Sequence, residues 1–206
     1  MIIPSLVFAF GLGTTSAAAQ TTTDRDPRVS EFARQIEAGE TEKGLAGLYS
    51  LSAQGVRDAD NMLGEALSGA YAGVTIDRPK ACLHFRIAKE LGGSAAHNYA
   101  TCLWEGAFGQ GREFEQARVW YQRGIDDGFT QSYCALGNMV IEGLGGSKDT
   151  DAGLALCRAA AEMGDANAQT DLADYYHAGA VVPQDLETAK HWYRLAAEKG
   201  QRNALF

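Results

Sequence analysis

A repeat of 36 residues constrains the fold of this chain more than any other feature of its sequence. Glycines recur at that spacing at the ends of four consecutive units: Gly92, Gly128, Gly164 and Gly200. A column rich in aromatic residues keeps the same register: His84, Trp120, Leu156 and Trp192. A period of about 20 to 50 residues is typical of supersecondary units that stack on their neighbours. The sequence therefore predicts an array of similar units.

Each unit has the pattern of two amphipathic helices joined by a loop. In the last unit, apolar residues recur at intervals of three and four, as on one face of a helix: Ala189, Trp192, Tyr193, Ala196 and Ala197. Gly179 before the loop suits a left-handed helix end, and Asp185 after it can cap the next helix. The pattern predicts helices near residues 31–38, 43–54, 58–68, 78–91, 95–105, 114–127, 131–142, 150–163, 167–178 and 186–199.

The first 19 residues have the features of a secretory signal peptide. They contain no charged side chain, and an apolar stretch over residues 2–12 gives way to small residues that end in three alanines at 17–19. This order matches the apolar region and cleavage site of a signal peptide, with an uncleaved anchor as the alternative. Residues 20–30 are expected to form a flexible leader, and no later segment resembles a membrane span. We therefore expect a periplasmic or secreted protein.

The net charge of −8 narrows the class of partner. Nucleic acid and anionic lipid attract clusters of Lys and Arg, and the chain has no such cluster. One acidic column repeats through the units: Glu90, Asp126, Glu162 and Glu198. An Arg lies four residues before three of these positions. We interpret the column as ion pairs on a solvated helix face, with an acidic ridge that docks a basic partner as the alternative.

The repeats resemble the Sel1-like repeat, a relative of the tetratricopeptide repeat. The resemblance is clearest in the last unit, in the residues Ala168, Gln169, Leu172, Ala173, Tyr176, Gly179, Val182, Pro183, Gln184, Asp185, Ala189, Lys190, Trp192, Tyr193, Ala196, Ala197 and Gly200. It implies a Sel1-like repeat domain over residues 31–206, divided into a half-repeat at 31–59 and repeats at about 60–93, 94–129, 130–165 and 166–201.

The resemblance implies an all-α fold, a right-handed superhelical solenoid of antiparallel helix pairs. It also implies a scaffold that binds another protein or peptide, and we expect it to regulate a signalling or assembly protein of the envelope. Three positions depart from the family pattern: His84 replaces Trp, Glu113 replaces the loop Asp, and Leu156-Cys157 replaces Trp-Tyr. These departures predict local repacking within an intact fold.

The chain lacks common catalytic and metal-binding motifs. Its four histidines form no H-E-x-x-H pattern, and no G-x-S-x-G or S-x-x-K nucleophile motif is present. Asp171, Asp174 and His177 fall three residues apart, which suits either a weak metal site or a solvated helix face, and we favour the latter. We expect no enzyme activity, cofactor or metal. An envelope hydrolase or a ligand-binding protein that uses the solenoid groove is the alternative.

An even number of cysteines in an exported chain indicates a disulfide framework. Three connectivities are possible, and the sequential one is favoured because residues at one level of a helix hairpin lie equally far from the centre of its turn. Cys134 and Cys157 are level about the loop near residue 145, and Cys82 and Cys102 are nearly level about the turn at Gly93. Equal level does not show that two side chains face each other. Buried free thiols at alanine-like positions are the alternative.

Trp104 is a candidate contact with a partner. It ends the first helix of its unit, where the other units have Ile141 and His177, so the fold does not determine the residue type. Large aromatic side chains at variable surface positions are enriched at binding hot spots. The alternative is that Trp104 covers its own loop, in particular Phe108.

Overall fold

The computed structural model describes residues 26–198, which form ten α-helices and contain no β-strand. The helices are α1 (Pro27–Glu37), α2 (Thr41–Ala53), α3 (Arg57–Glu65), α4 (Arg78–Ala88), α5 (Gly93–Glu105), α6 (Phe114–Asp126), α7 (Gln131–Glu142), α8 (Thr150–Glu162), α9 (Ala166–Ala178) and α10 (Leu186–Glu198). The all-α expectation is confirmed. The predicted signal peptide at 1–19 lies outside the described residues.

The helices pack as five antiparallel pairs that stack in chain order. Each even-numbered helix contacts the preceding helix of its own pair, and α2, α4, α6 and α8 also contact the first helix of the next pair. First helices of neighbouring pairs also touch, as α1 does α3 and α7 does α9. The result is a solenoid with two rows of helices. We call α3, α5, α7 and α9 the first-helix row, and α4, α6, α8 and α10 the second-helix row.

Small residues allow the two rows to approach closely. Gly137 on α7 and Gly153 on α8 face each other, and a Cβ atom added to either would overlap the other's backbone oxygen. Larger side chains fill the remaining space, and the central cluster includes the buried Phe85, Leu103 and Met139. The core is therefore a chain of clusters between successive helices, as expected for stacked units.

One backbone hydrogen bond closes the loop of every repeat. The amide at the start of the second helix donates to a carbonyl near the end of the first helix, in the pairs Asp77–Leu67, Glu113–Leu103, Asp149–Val140 and Asp185–Tyr176. Three loops begin at a glycine with positive φ: Gly106, Gly143 and Gly179. The first repeat differs, because α3 continues into a π-helical turn, Ala66–Ala70, in which Gly69 has a φ of 101°.

The structure differs from the sequence prediction at the start of α1. The flexible leader was expected to continue to residue 30, but the helix begins at Pro27. The Asp26 carboxylate accepts a hydrogen bond from the Arg28 amide, which caps the helix. Val29 is buried against the first core cluster, so residues 27–30 belong to the helical domain. The α-helix predicted at 78–91 ends at Ala88, and Lys89–Leu91 form a 3-10 turn.

Candidate protein-binding face

The first-helix row presents one continuous side to solvent. Its helices contribute side chains at intervals of three and four residues, which lie on the same face of an α-helix. None of these side chains is fully buried: Ser94, Asn98, Thr101 and Glu105 on α5; Gln131, Ala135, Asn138 and Glu142 on α7; Asn167, Asp171, Asp174 and Ala178 on α9. We call this surface the first-helix face.

A polar network joins α7 to α9 within this face. The Asn138 amide donates to Asp171 Oδ2 at 2.9 Å, and the Tyr175 hydroxyl donates to Asn138 Oδ1 at 2.6 Å. Burial, with the charges of Asp171 and Glu142 next, raises the pKa of Tyr175 to about 12. The phenol therefore stays protonated and keeps its donor role. Sequence analysis missed this network, because Asn138 and Tyr175 meet only when two repeats stack.

His97 joins α5 to α7 in a similar way. Its Nδ1 lies 3.1 Å from the Ser132 hydroxyl, and its ring packs against the rings of Tyr121 and Phe129. Burial lowers the pKa of His97 from its ordinary 6.5 to about 4. The imidazole is therefore neutral at physiological pH and contributes no positive charge to the first-helix face.

Charge is divided unequally between the two rows of helices. Helices α5, α7 and α9 contain no Lys or Arg, and α3, the other helix of the first-helix row, contains Arg57. Each helix of the second-helix row contains at least one Lys or Arg. The acidic residues of these three first helices are Glu105, Glu142, Asp171 and Asp174. Glu105 is neutralised by Arg78, whose guanidinium contacts both carboxylate oxygens at 2.6 Å. Within residues 26–198, the other three acidic side chains form no ion pair.

Asp171 shows the electrostatic consequence of this division. Burial raises the pKa of its carboxyl, and the negative charges of Asp174 and Asp165 raise it further, although the hydrogen bond from Asn138 opposes them. A carboxylate that is partly buried among like charges favours a nearby cation. A cation placed beside Asp171 would offset both effects and favour the charged form of its carboxyl.

Trp104 lies at the loop end of α5, next to Glu105. It is half-buried and packs against the central core cluster. The Arg112 guanidinium lies 5.4 Å from the centre of its ring. The indole is therefore partly covered by its own loop and partly open to solvent.

The four cysteines form the two sequential pairs, with the Sγ atoms of each pair at bonding distance. Cys82 on α4 and Cys102 on α5 have Cα atoms 5.7 Å apart and link the first repeat to the second. Cys134 on α7 and Cys157 on α8 have Cα atoms 4.0 Å apart and link the two helices of the third repeat. Two helices of the first-helix face, α5 and α7, are therefore each cross-linked to a helix of the second-helix row.

The three residues considered for a metal site point to different partners. Asp171 binds Asn138, the Tyr193 hydroxyl donates to Asp174 at 2.5 Å, and the His177 ring lies beside that of Tyr193. Among the described residues, no group of three potential ligands could hold a metal ion. Over the same part of the chain, no helix combines the length and apolar character that crossing a membrane requires.

The acidic column lies on a solvated face as predicted, since its four acidic residues are exposed, but the predicted ion pairs do not form within residues 26–198. Arg86 does not pair with Glu90 but lies over the Phe108 ring, with 5.3 Å from Cζ to the ring centre. Arg158 likewise donates to the Tyr176 hydroxyl at 3.3 Å instead of binding Glu162. Neighbouring repeats offer these guanidinium groups aromatic partners, which a helix considered alone does not reveal.

A buried carboxylate joins the half-repeat to the first full repeat. Asp60 on α3 is 1% exposed and accepts hydrogen bonds from the Ser52 hydroxyl on α2 and from His84 on α4, each at 2.8 Å. His84 occupies the position that holds Trp in two other repeats. Its departure from the repeat pattern therefore has a structural cause, since it satisfies a charge that the array buries.

Comparison with known proteins agrees with this architecture. The Sel1 repeat family model matches four segments, at residues 57–93, 93–129, 130–165 and 166–201. A Sel1 repeat protein from Oxalobacter formigenes superposes with a TM-score of 0.73 at 24% identity, covering 87% of this chain and 74% of that one. An immunity protein from Pseudomonas aeruginosa gives 0.56 at 20% identity, with coverage of 87% and 68%. At these identities the likeness shows the fold alone.

A protective antigen of uropathogenic Escherichia coli with an SLR fold superposes with a TM-score of 0.65 at 27% identity. The match covers 86% of this chain but only 39% of the antigen, so this chain spans well under half of that protein. The four matched segments together cover more than half of the present sequence. The chain belongs to the Sel1 repeat family.

Proposed function

We propose that this protein is an exported, non-enzymatic scaffold whose first-helix face binds a basic segment of another protein. The observation that supports this most is the absence of Lys and Arg from α5, α7 and α9, three adjacent helices that carry four carboxylates. Opposite charges across an interface speed association and select partners. A lysine- or arginine-bearing segment laid across these helices would meet Glu142, Asp171 and Asp174 in turn.

The polar groups of the face suit an extended peptide. The side-chain amides of Asn98 and Gln131 form no hydrogen bond with residues 26–198, and both are accessible to solvent. Each amide can donate to and accept from a peptide backbone. These groups would fix the register of the segment while the carboxylates bind its cations.

Trp104 would serve as an anchor at the edge of the face. Its indole is half-buried and packs against the core, which holds the ring in place. Tryptophan is enriched among the few interface residues that contribute most of the binding energy. Replacement of Trp104 by Ala should weaken binding of the partner by about tenfold or more.

Two further features support an envelope location. The cysteines pair at bonding distance in the structure, and disulfides persist mainly in oxidising compartments such as the periplasm. The features of a signal peptide in the first 19 residues point the same way. We infer that the partner is an envelope protein, and that the scaffold regulates its signalling or assembly.

Affinity capture from an envelope extract, with charge variants as bait, tests the proposal. In the test variant, Glu142→Lys and Gln131→Lys reverse the charge of α7 on the first-helix face, where both residues are exposed. In the matched control, Glu162→Lys and Gln116→Lys make the same charge change on exposed positions of α8 and α6. The wild type and the control should capture the same partner, and the test variant should lose it. Equal capture by all three baits would reject the first-helix face as the binding surface.

A further inference from the structure

A pocket of about 640 Å³ opens between α6, α7 and α8. Its floor is apolar and consists of Leu136, Val140 and Leu156. Its rim is formed by α6, with Arg118, Val119, Gln122, Arg123 and Asp126. This volume lies within the range of about 300 to 1,000 Å³ that is common for ligand sites. The pocket is large enough for an aromatic side chain.

The pocket exists because one repeat lacks an aromatic residue that two other repeats have. Leu156 occupies the position of Trp120 in the second repeat and of Trp192 in the fourth. Trp120 packs edge-on against Tyr99, with 5.3 Å between ring centres, and Trp192 packs against the core between α8 and α9. The isobutyl group of Leu156 is much smaller than an indole, so the corresponding space in the third repeat remains open. The other repeats therefore indicate that an indole fits the space beside Leu156.

We propose that this pocket binds an aromatic side chain, preferably a tryptophan, of a partner protein. The inserted indole would lie on Leu136, Val140 and Leu156, in the position that Trp120 and Trp192 occupy in their own repeats. Val119 on the rim is 66% exposed, the highest value among the large apolar residues in the described part of the chain. Contact with the ring would remove this apolar surface from water.

The charges at the rim indicate what flanks the aromatic residue. Arg123 pairs with Asp127, with 2.9 Å between Nε and Oδ2. Arg118 contacts the Ser147 carbonyl at 3.4 Å and has no carboxylate partner within residues 26–198. A guanidinium in this position can stack on an inserted ring or bind a neighbouring carboxylate. Asp126 also lines the pocket and accepts a hydrogen bond from Gln122 at 2.9 Å, so a carboxylate of the ligand is expected to bind at Arg118. The preferred ligand is therefore an aromatic residue next to Asp or Glu.

This site does not depend on the proposed role of the first-helix face. It is lined by side chains of α6, α7 and α8, and none of its lining residues belongs to that face. Its expected ligand is also acidic, whereas the first-helix face is expected to bind a basic one. Either site can fail its test while the other stands.

Two probes test the pocket in the full-length protein: 5-fluoroindole, and an acetylated Asp-Trp-Asp peptide amide. Fluorine NMR should show saturable binding of 5-fluoroindole at about millimolar concentration, which corresponds to roughly −4 kcal/mol. Methyl NMR should place the shifts on Leu136, Val140 and Leu156. Arg118→Gln should weaken the peptide about tenfold while it changes 5-fluoroindole binding little, since the indole has no carboxylate.

Leu156→Trp provides the decisive variant, because it fills the pocket with the side chain that two other repeats carry. It should abolish binding of both probes and leave the helical circular dichroism spectrum unchanged. Leu186→Trp, which adds an indole at an exposed position of α10, is the matched control and should bind as wild type does. The proposal is rejected if 5-fluoroindole does not bind the wild type, or if its methyl shifts lie away from the pocket. The methyl shifts decide the question even if Leu156→Trp fails to fold.

Discussion

At the scale of single residues, the Glu113 that replaces Asp before α6 leaves the start of that helix without a side-chain cap. Three second helices begin after an Asp whose carboxylate accepts a backbone amide: Asp77, Asp149 and Asp185. Glu113 takes this place before α6 but makes no such bond. Its side chain is one methylene longer and instead accepts from Gln116. The amides at the start of α6 therefore lack a side-chain acceptor.

Glu113→Asp should stabilise the protein by about 0.5 to 1 kcal/mol, because a short carboxylate can reach the amide that Glu113 leaves without a cap. Urea denaturation followed by circular dichroism measures the change. Asp149→Glu is the reciprocal control and should destabilise by a similar amount, since Asp149 caps α8 through the Ala152 amide. Equal stability of Glu113→Asp and wild type would show that capping does not limit α6.

His97 is expected to control the acid side of the stability curve. Its pKa in the folded protein is about 4, below the ordinary 6.5, so the unfolded chain binds more protons between these values. The stability contribution of the neutral ring is complete above the ordinary pKa and falls as the pH drops toward the folded pKa. Between these two pKa values the free energy of unfolding should fall by up to about 3 kcal/mol.

Denaturation curves across this pH range, for the wild type and His97→Gln, measure that loss. The variant should be less sensitive to acid, because it has no group to protonate at this position. His191→Gln removes an exposed histidine of α10 and should keep the pH dependence of the wild type. A His97→Gln curve parallel to that of the wild type would contradict the assignment.

At the scale of helices, most of the architecture could be predicted from the sequence. The apolar period and the flanking Gly and Asp residues placed all ten helices within a few residues of their observed bounds. They could not predict the π-helical turn after α3, because its form depends on how Gly69 and the loop meet Ile76. Nor could they reveal the bonds from Asp60 to Ser52 and His84, which join three helices.

The candidate site was less predictable than the helices. Trp104 was identified because its type varies between repeats, but the cation over its ring comes from Arg112, eight residues further on in a loop of irregular form. The network of Asn138, Asp171 and Tyr175 spans two repeats, and no spacing within one repeat indicates it. Contacts between repeats thus set the properties of the surface.

The two disulfides should have different effects on the array. Replacement of Cys82 and Cys102 by Ala removes a link between the first and second repeats across 20 residues. Replacement of Cys134 and Cys157 removes a link within the third. Each pair of replacements should lower the free energy of unfolding by about 3 kcal/mol. Hydrogen exchange should accelerate selectively in α3 and α4 in the first variant, since units held by neighbours open from their ends.

Uniform acceleration along the chain in both variants would show that the array opens as a single unit. Peptide mapping without reduction, on protein recovered from the periplasm, should find both sequential pairs. Free thiols at all four positions would contradict the pairing in the cell. The helical array would survive that result, because its helices are held by packing.

At the scale of the whole molecule, the two rows of helices differ in chemistry. Helices α5, α7 and α9 carry carboxylates and uncharged polar groups but no Lys or Arg, whereas the second-helix row carries both basic and acidic residues. The apolar pocket beside Leu156 lies between α6, α7 and α8. A repeat array can present such different surfaces because each helix contacts only its near neighbours. Under the two proposals, the first-helix face and the pocket would bind different segments, one basic and one acidic.

The location of the partner on the solenoid tests the central claim most directly. A photo-crosslinking amino acid placed at Gln131, exposed on the first-helix face, or at Lys190, exposed on the second-helix row, would report contacts in intact cells. We predict a crosslinked adduct with a single basic envelope protein from position 131 and none of that protein from position 190. Adducts from position 190 alone, or equally from both, would contradict the assignment of the first-helix face as the binding surface.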